Sequence, residues 1–234
     1  MAKRSVYISD YRAPYMRPAE VEFTFFSGFS LAQKQRCIRS LHESFLASEP
    51  DIRILEISTK STEPLGVALS AFNLTIETPR RSFTVESAFQ SSKVFEMGGP
   101  YTDLLGADAR TAKRDERLRS SGRVIGFRFH GRDYPTEPKD LFYNWIYINA
   151  LVRQRRLAEE VCAYGAFSDI EFNPAKSLNC QAVAAAIYVG LRMAGKLDEA
   201  LANIGTFESL VYGSRPTQAD EDEDEGIQLK MPLL

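Results

Sequence analysis

Three residues in the stretch "TVESAFQSSK" are of types that do chemistry, and their spacing groups them. Glu86, Gln90 and Lys93 fall at i, i+4 and i+7, so on a helix they share one stripe about 10 Å long. A buried carboxylate can give or take a proton near neutrality when desolvation raises its pKa. A buried lysine whose pKa falls can act as a nucleophile, and an amine can form an imine with a sugar aldehyde. The same spacing also describes an ordinary amphipathic helix with its polar stripe toward water.

The elements around this stretch follow from periodicity and punctuation. Residues 1–20, rich in tyrosine and proline, read as an extended arm laid over the surface, and "FTFFSGFS" as a strand ending at Ser30, a plausible N-cap. Leu31, Ile38, Leu41, Phe45 and Leu46 then recur at helical spacing up to Pro50. "IRILEIS" alternates as a strand does. The helix that carries Glu86 is expected from Thr84 to about Met97, where Gly98-Gly99-Pro100 stops it. Further helices are expected over "DARTAKRDERLRSSG", closed by Gly122, from about Pro138 to Tyr164, over "CQAVAAAIYVGLRMAGK", and over "LDEALANIGTFESLVYG". "RVIGFRF" reads as a strand. Phe142 and Trp145 sit in an apolar stripe, as core residues do. The fold class is α+β and mostly helical: one domain over 1–213 with a few short strands, then a disordered acidic tail over 214–234.

Composition narrows the function. The 234 residues are 44% hydrophobic and 11% aromatic, enough for one sizeable core. No apolar run approaches the ~20 residues of a membrane helix, and "MAKRSVYISDYRAPYMRP" has no export signal. Cys37, Cys162 and Cys180 form no C-x-x-C pair, which fits reduced thiols in the cytoplasm. His42 and His130 lie far apart, so neither a metal nor a redox cofactor is called for. The net charge is −2, but six acids from Asp220 to Glu225 hide a body of about +4. Basic residues cluster at Arg110, Lys113, Arg114, Arg117, Arg119 and Arg123, and again at Arg153, Arg155 and Arg156. Each cluster is either a solvated face or a phosphate track.

"EISTKSTEPLGVALSAFNLTI" followed by "RSFTVESAFQSSKVF" resembles the signature of the NADAR superfamily, which includes a riboflavin-biosynthesis N-glycosidase. Pro64, Gly66, Leu69, Ser70 and Phe72 match its first element, and Thr84, Glu86, Phe89, Gln90 and Lys93 its second. "RTAKRDERL" resembles a third element, and "SLNCQA" matches a fourth at Asn179. "GFSLAQKQRCIRSLH", "ESAFQSSKVFEMGGPYTDLL", "FYNWIYINAL" and "DIEFNPAKSLNCQA" are similar to one branch, the NADAR proteins encoded beside DNA ADP-ribosylating toxins of the DarT type. The family histidine after Glu86 is Ser87 here, the asparagine of F-S-N-F is Ala71, and the W-G-D segment has no counterpart. These departures fit a branch with a different leaving base.

The resemblance implies an N-glycosidase that removes ADP-ribose from guanine in DNA, with a DNA ADP-ribosyltransferase toxin as cognate partner. Such a reaction passes through an oxocarbenium-like sugar, so the leaving purine needs a proton and the sugar a nearby anion or nucleophile. Glu86 is then the acid/base and Lys93 the nucleophile or electrostatic stabiliser. Lys60 competes as the lysine, and Asp169 and Glu171 compete as a second carboxylate; each also reads as a surface, capping or ion-paired residue. Phe72 lies in the matched motif, while Ser70 and Asn73 suit ribose or phosphate contacts or simply turn chemistry. Gly99 and its neighbours could bring backbone amides to a diphosphate, with Tyr101 stacking on a base. Asn179 and Gln181 could read a purine edge or cap the following helix. Two other functions stay open: an N-glycosidase for a small nucleotide-like metabolite, and an antitoxin that blocks its toxin by contact alone, its acidic tail mimicking nucleic acid.

Overall fold

The computed structural model of the chain describes residues 1–173 and 179–213. The expected acidic tail, 214–234, lies outside the described residues. In chain order, β1 (Ala2–Ser9) and β2 (Met16–Phe23) pair antiparallel and precede α1 (Leu31–Ser48). Next come β3 (Ile54–Glu56), α2 (Pro64–Ala68), β4 (Thr75–Glu77), β5 (Ser82–Thr84), α3 (Val85–Ser92) and β6 (Lys93–Phe95). The short helices α4 (Ala109–Arg114) and α5 (Arg117–Ser120) lead to the hairpin of β7 (Val124–Phe129) and β8 (Arg132–Tyr134). The chain closes with α6 (Leu141–Arg153), α7 (Arg155–Glu160), β9 (Ala166–Ser168), α8 (Gln181–Met193), α9 (Leu197–Ala200) and α10 (Ile204–Tyr212).

Helix predominates over strand, as an α+β reading requires. The strands build a four-stranded sheet in the order β2-β1-β9-β3, a three-stranded sheet β6-β7-β8 and the β4-β5 pair. The first 23 residues are therefore two paired strands rather than a surface arm. Val6 and Ile8 alternate with polar neighbours, and burying that face against Cys37, Ile38, Leu41 and Phe45 of α1 fixes the register. The strand expected from Phe23 to Ser30 ends at its first residue. Beyond it, Thr24 N donates to Ser40 Oγ (3.1 Å) and Phe26 N to Cys37 Sγ (3.2 Å), so side chains of α1 replace a ladder. Ser30 does cap α1, accepting from Gln33 N at 3.3 Å.

The main core lies on the other side of this sheet, where α6 and α8 run through the molecule. Phe142 stacks on Phe127 at 4.8 Å and Trp145 meets Phe207 edge-on at 5.5 Å, so both are core residues as their spacing suggests. Four expected helices are shorter than their periodicity. The one carrying Glu86 stops at Ser92, because Ser91 and Ser92 hydroxyls both turn back to Ala88 O (3.0 and 2.6 Å) and compete for the carbonyl that propagates the helix. Over 108–122, Asp115 accepts from Arg117 N (2.9 Å) and divides one expected helix into α4 and α5. The helix expected over 138–164 breaks at Gln154, whose amide reaches across to Thr75 Oγ1 (3.1 Å). Asn203 caps α10 through Thr206 N (2.8 Å), separating it from α9.

Candidate active site

A cavity of about 760 Å³ opens where α3, the β6-β7-β8 sheet, α6 and the turn after β9 converge. That volume falls within the ~300–1,000 Å³ of small-molecule sites. Its first wall is the opening stretch of interest. Thr84 caps α3 by accepting from Ser87 N (3.1 Å), which starts the helix one residue before Glu86 and turns that carboxylate inward. Glu86 is 4% exposed. Gln90 Nε2 donates to Glu86 Oε1 at 2.9 Å, and Lys93 Nζ donates to Gln90 Oε1 at 2.8 Å. The glutamine thus stands between carboxylate and amine, offering each the end of its amide that it can use.

The cation paired with Glu86 is Lys113 of α4, whose Nζ lies 3.3 Å from Glu86 Oε1 and over the Phe72 ring at 4.9 Å. Lys93 sits over Phe89 (4.8 Å), and burial pulls its pKa down to about 8. The Glu86 charge acts against that fall and the Lys113 charge adds to it. Because the helix ends at Ser92, Lys93 belongs to β6, where it pairs with Phe127. The amine is therefore aimed by a strand rather than by the helical stripe.

The opposite wall is the turn after β9. Asp169 Oδ1 accepts from Glu171 N (3.0 Å) and Phe172 N (3.1 Å), while part of its surface stays open to the cavity. Desolvation, and then the charge of Glu56 behind it, push its pKa up to about 8. Of the two candidate carboxylates, Glu171 is the one paired with a cation, Lys34 Nζ at 2.8 Å, at the rim. Glu56 is 2% exposed and accepts from Ser58 Oγ (2.7 Å), Ile170 N (2.8 Å) and the Ser168 hydroxyl. Ser168 Oγ also meets His42 Nε2 at 2.9 Å. Burial pushes His42 down to about 4.

Tyr143 of α6 stands between the walls. Its phenol is raised by burial first, and by the charges of Glu86 and Asp169 among others. Phe72, Phe89, Phe127 and Phe172 complete an aromatic lining, and Lys113, Arg119 and Lys139 give it a basic edge.

Of the residues singled out from sequence, Glu86, Lys93, Asp169, Glu171, Phe72, Gln90, Asn179 and Gln181 line this one cavity. Gln181 accepts from Ala71 N (2.8 Å) and donates to Ile57 O (2.7 Å), clamping two loops, and its amide also bonds Asp169. Ser70 is buried against that clamp, and Asn73 points away and donates to Val67 O (2.8 Å). Neither lines the cavity, nor does Lys60, whose backbone N–H bonds Ser58 Oγ at 3.2 Å. Gly99 and Tyr101 also lie off it. Gly99 takes φ +84° in the turn after β6, and Tyr101 is spent on a short bond to Ser121 and on the Arg117 guanidinium over its ring at 4.5 Å. These five residues lie outside the cavity lining, in turn and packing positions. Sequence reasoning missed Tyr143 and the Glu56–Ser168–His42 chain. It read Lys113 only as part of a basic cluster.

The site and fold together place the chain in the NADAR class. More particularly, the DarT1-associated NADAR antitoxin family model matches residues 2–221, and the chain belongs to that family. No curated protein matches it. Among the described residues no helix is long and apolar enough to cross a membrane.

Proposed function

We propose that the protein hydrolyses the N-glycosidic bond between ADP-ribose and guanine in DNA, and thereby reverses the action of a cognate DNA ADP-ribosyltransferase toxin. The observation that carries this reading is one cavity holding three differently prepared groups. Lys93 is an amine close to neutrality, Glu86 is an ion-paired carboxylate, and Asp169 is a carboxyl that keeps its proton to about pH 8. Cleaving a glycosidic bond to a base can use each of them.

In this mechanism the ribose–guanine C–N bond breaks as Asp169 passes its proton to the departing base, which takes the bonding electron pair. The Glu86 carboxylate faces the positive charge that develops on the sugar. The neutral amine of Lys93 then bonds to the anomeric carbon. Ring opening gives an imine, and one water hydrolyses it to free ADP-ribose and the lysine. The proton released by the amine on bonding returns to Asp169 through solvent. The aromatic lining suits a base and ribose, and Lys113, Arg119 and Lys139 suit phosphates.

The test is an oligonucleotide carrying ADP-ribose on guanine, followed by mass spectrometry. Wild-type protein should return it to the unmodified mass, and folded Glu86→Ala and Lys93→Ala variants should not. Borohydride should trap ADP-ribose on wild type and not on Lys93→Ala. An intact oligonucleotide after exposure to folded wild type would sink the reading and redirect attention to small nucleotides. Protection against a toxin by the cleavage-dead variants would instead favour neutralisation by contact.

A further inference from the structure

Behind Asp169 lies a polar chain, none of whose members lines the cavity. Glu56 comes from β3, Ser168 from the end of β9 and His42 from α1, so three separate elements meet there. Glu56 takes three donors, Ser58 Oγ, Ile170 N and the Ser168 hydroxyl. Two of these, Ser168 and Ile170, flank Asp169 directly in sequence. The carboxylate therefore grips the turn on both sides of the residue that the cavity uses. Since the single Ser168 proton goes to Glu56, the 2.9 Å contact from His42 requires His42 to be the Nε2–H tautomer donating to Ser168. His42, held uncharged by burial, supplies a proton to the chain and no countercharge. Glu56 takes three hydrogen bonds and has no ion pair among the described residues; burial pushes its carboxyl up and the three donors pull it back, so it and Asp169 compete for protons as a pair.

A buried carboxyl of that kind is costly to keep, charged or not. A fold that needed only to fill the space between α1 and the sheet would do so with an apolar side chain. We infer that Glu56 is a positioning residue for the reaction: it fixes the turn that aims Asp169 into the cavity and sets a second carboxyl behind it. This inference rests on the glycosidase reading for its catalytic meaning, and on geometry alone for the grip on Asp169.

The other groups facing Asp169 set no unbalanced charge beside it. Tyr7 from β1, Tyr143 and Tyr147 from α6 and the Cys180 thiol before α8 are all raised by burial and stay neutral. Glu171, in the same turn, is balanced by Lys34. Burial is the larger cause of the raised Asp169 carboxyl, and Glu56 is the group that adds to it. Removing its charge should let Asp169 ionise at lower pH and leave it an anion when the base departs.

Two measurements on the full chain separate the parts. The first follows the Asp169 side-chain carboxyl by carbon-13 NMR through a pH titration, with the resonance assigned by its absence in Asp169→Asn. Wild type should titrate near 8. Glu56→Gln, which can donate from its amide to Ser168 Oγ and keep the chain connected, should titrate about one unit lower or more. Glu56→Asp, which keeps the charge, should stay close to wild type. The second is the single-turnover rate on the modified oligonucleotide. Glu56→Gln should be slower than wild type by about fivefold near pH 8 for a one-unit shift, converge with it at lower pH, and keep the same KM. Should Glu56→Gln not fold, Ser168→Ala removes one donor from Glu56 and should move the titration the same way by less.

An Asp169 titration unchanged in folded Glu56→Gln or Ser168→Ala overturns the inference. A shifted titration with no cleavage by wild type overturns the glycosidase reading while the grip of Glu56 on Asp169 stands. Equal rate losses at every pH, with KM and titration unmoved, reduce Glu56 to a structural residue.

Discussion

The cavity has two acidic walls, built on opposite principles. On α3, Glu86 is nearly inaccessible, and Lys113 lies 3.3 Å away while Gln90 donates to the same oxygen. On the turn after β9, Asp169 is more open to the cavity but is backed by another carboxylate, and its proton is retained to about 8. For Asp169 burial comes first and the neighbouring carboxyl second; Glu86 instead has a cation beside it. The two walls therefore differ in the sign of the nearest charge.

The sharpest way to break this comparison is to remove the amine between the walls. Lys93→Ala should abolish single-turnover cleavage of the modified oligonucleotide, with the melting temperature unchanged or raised, since a partly buried cation is lost. Asp169→Asn should slow the same step by about 10²–10⁴-fold, the range for a lost proton donor. A smaller loss would return the acid role to Glu86.

The pH profile sharpens the contrast. The amine must lose its proton, so rate should climb as pH rises through about 8, and Asp169 must keep its proton, so rate should fall through the same region. The expected result is a narrow bell centred near 8. Lys113→Ala removes a cation that helps hold Lys93 down, so the rising limb should move to higher pH; stability should fall by only about 1 kcal/mol, because Lys113 is half exposed.

Stability should carry a weaker trace of the same asymmetry. Asp169 has a raised folded pKa, so between the ordinary carboxylate range and about 8 the folded state holds a proton that the unfolded chain has lost. Stability therefore falls with rising pH across that window, and Asp169→Asn should flatten the fall in thermal melts. Smallest of all is Tyr101→Phe. It lies off the cavity, and cleavage should stay within about twofold of wild type, as for substitutions away from a site.

Much of this site was legible because α3 compresses it into eight residues. Glu86 and Gln90 are one helical turn apart, so spacing alone puts them together. Lys93 reached the right cavity for a partly wrong reason, since it leaves the helix and is carried there by β6. Periodicity overlooked that change because Ser91 and Ser92 end the helix through hydroxyl bonds, which no hydrophobic pattern registers. Asp169 was visible as an acid but could not be separated from Glu171. Their difference depends on Glu56 and Lys34, more than a hundred residues away in the chain. Tyr143 hid in the apolar stripe of α6, where a phenol and a phenylalanine look alike. The fold class followed from helix content and motif order. The N-terminal hairpin did not, because two strands that alternate weakly and carry prolines resemble a surface arm until a partner sheet is known.

Placing Lys93 at the start of a strand makes its amine an indexed position. Lys93 faces Phe127 in the β6–β7 ladder, and the register slips just beyond, between Val94 and Phe95. Any insertion in β7 that moved this slip would advance or retract the amine by about 3.3 Å per residue and turn it to the other face of the sheet. Glu86 and Gln90, anchored in the preceding helix, would stay where they are. The distance between the Lys93 amine and the Glu86 carboxylate is therefore set by a counting rule in the sheet.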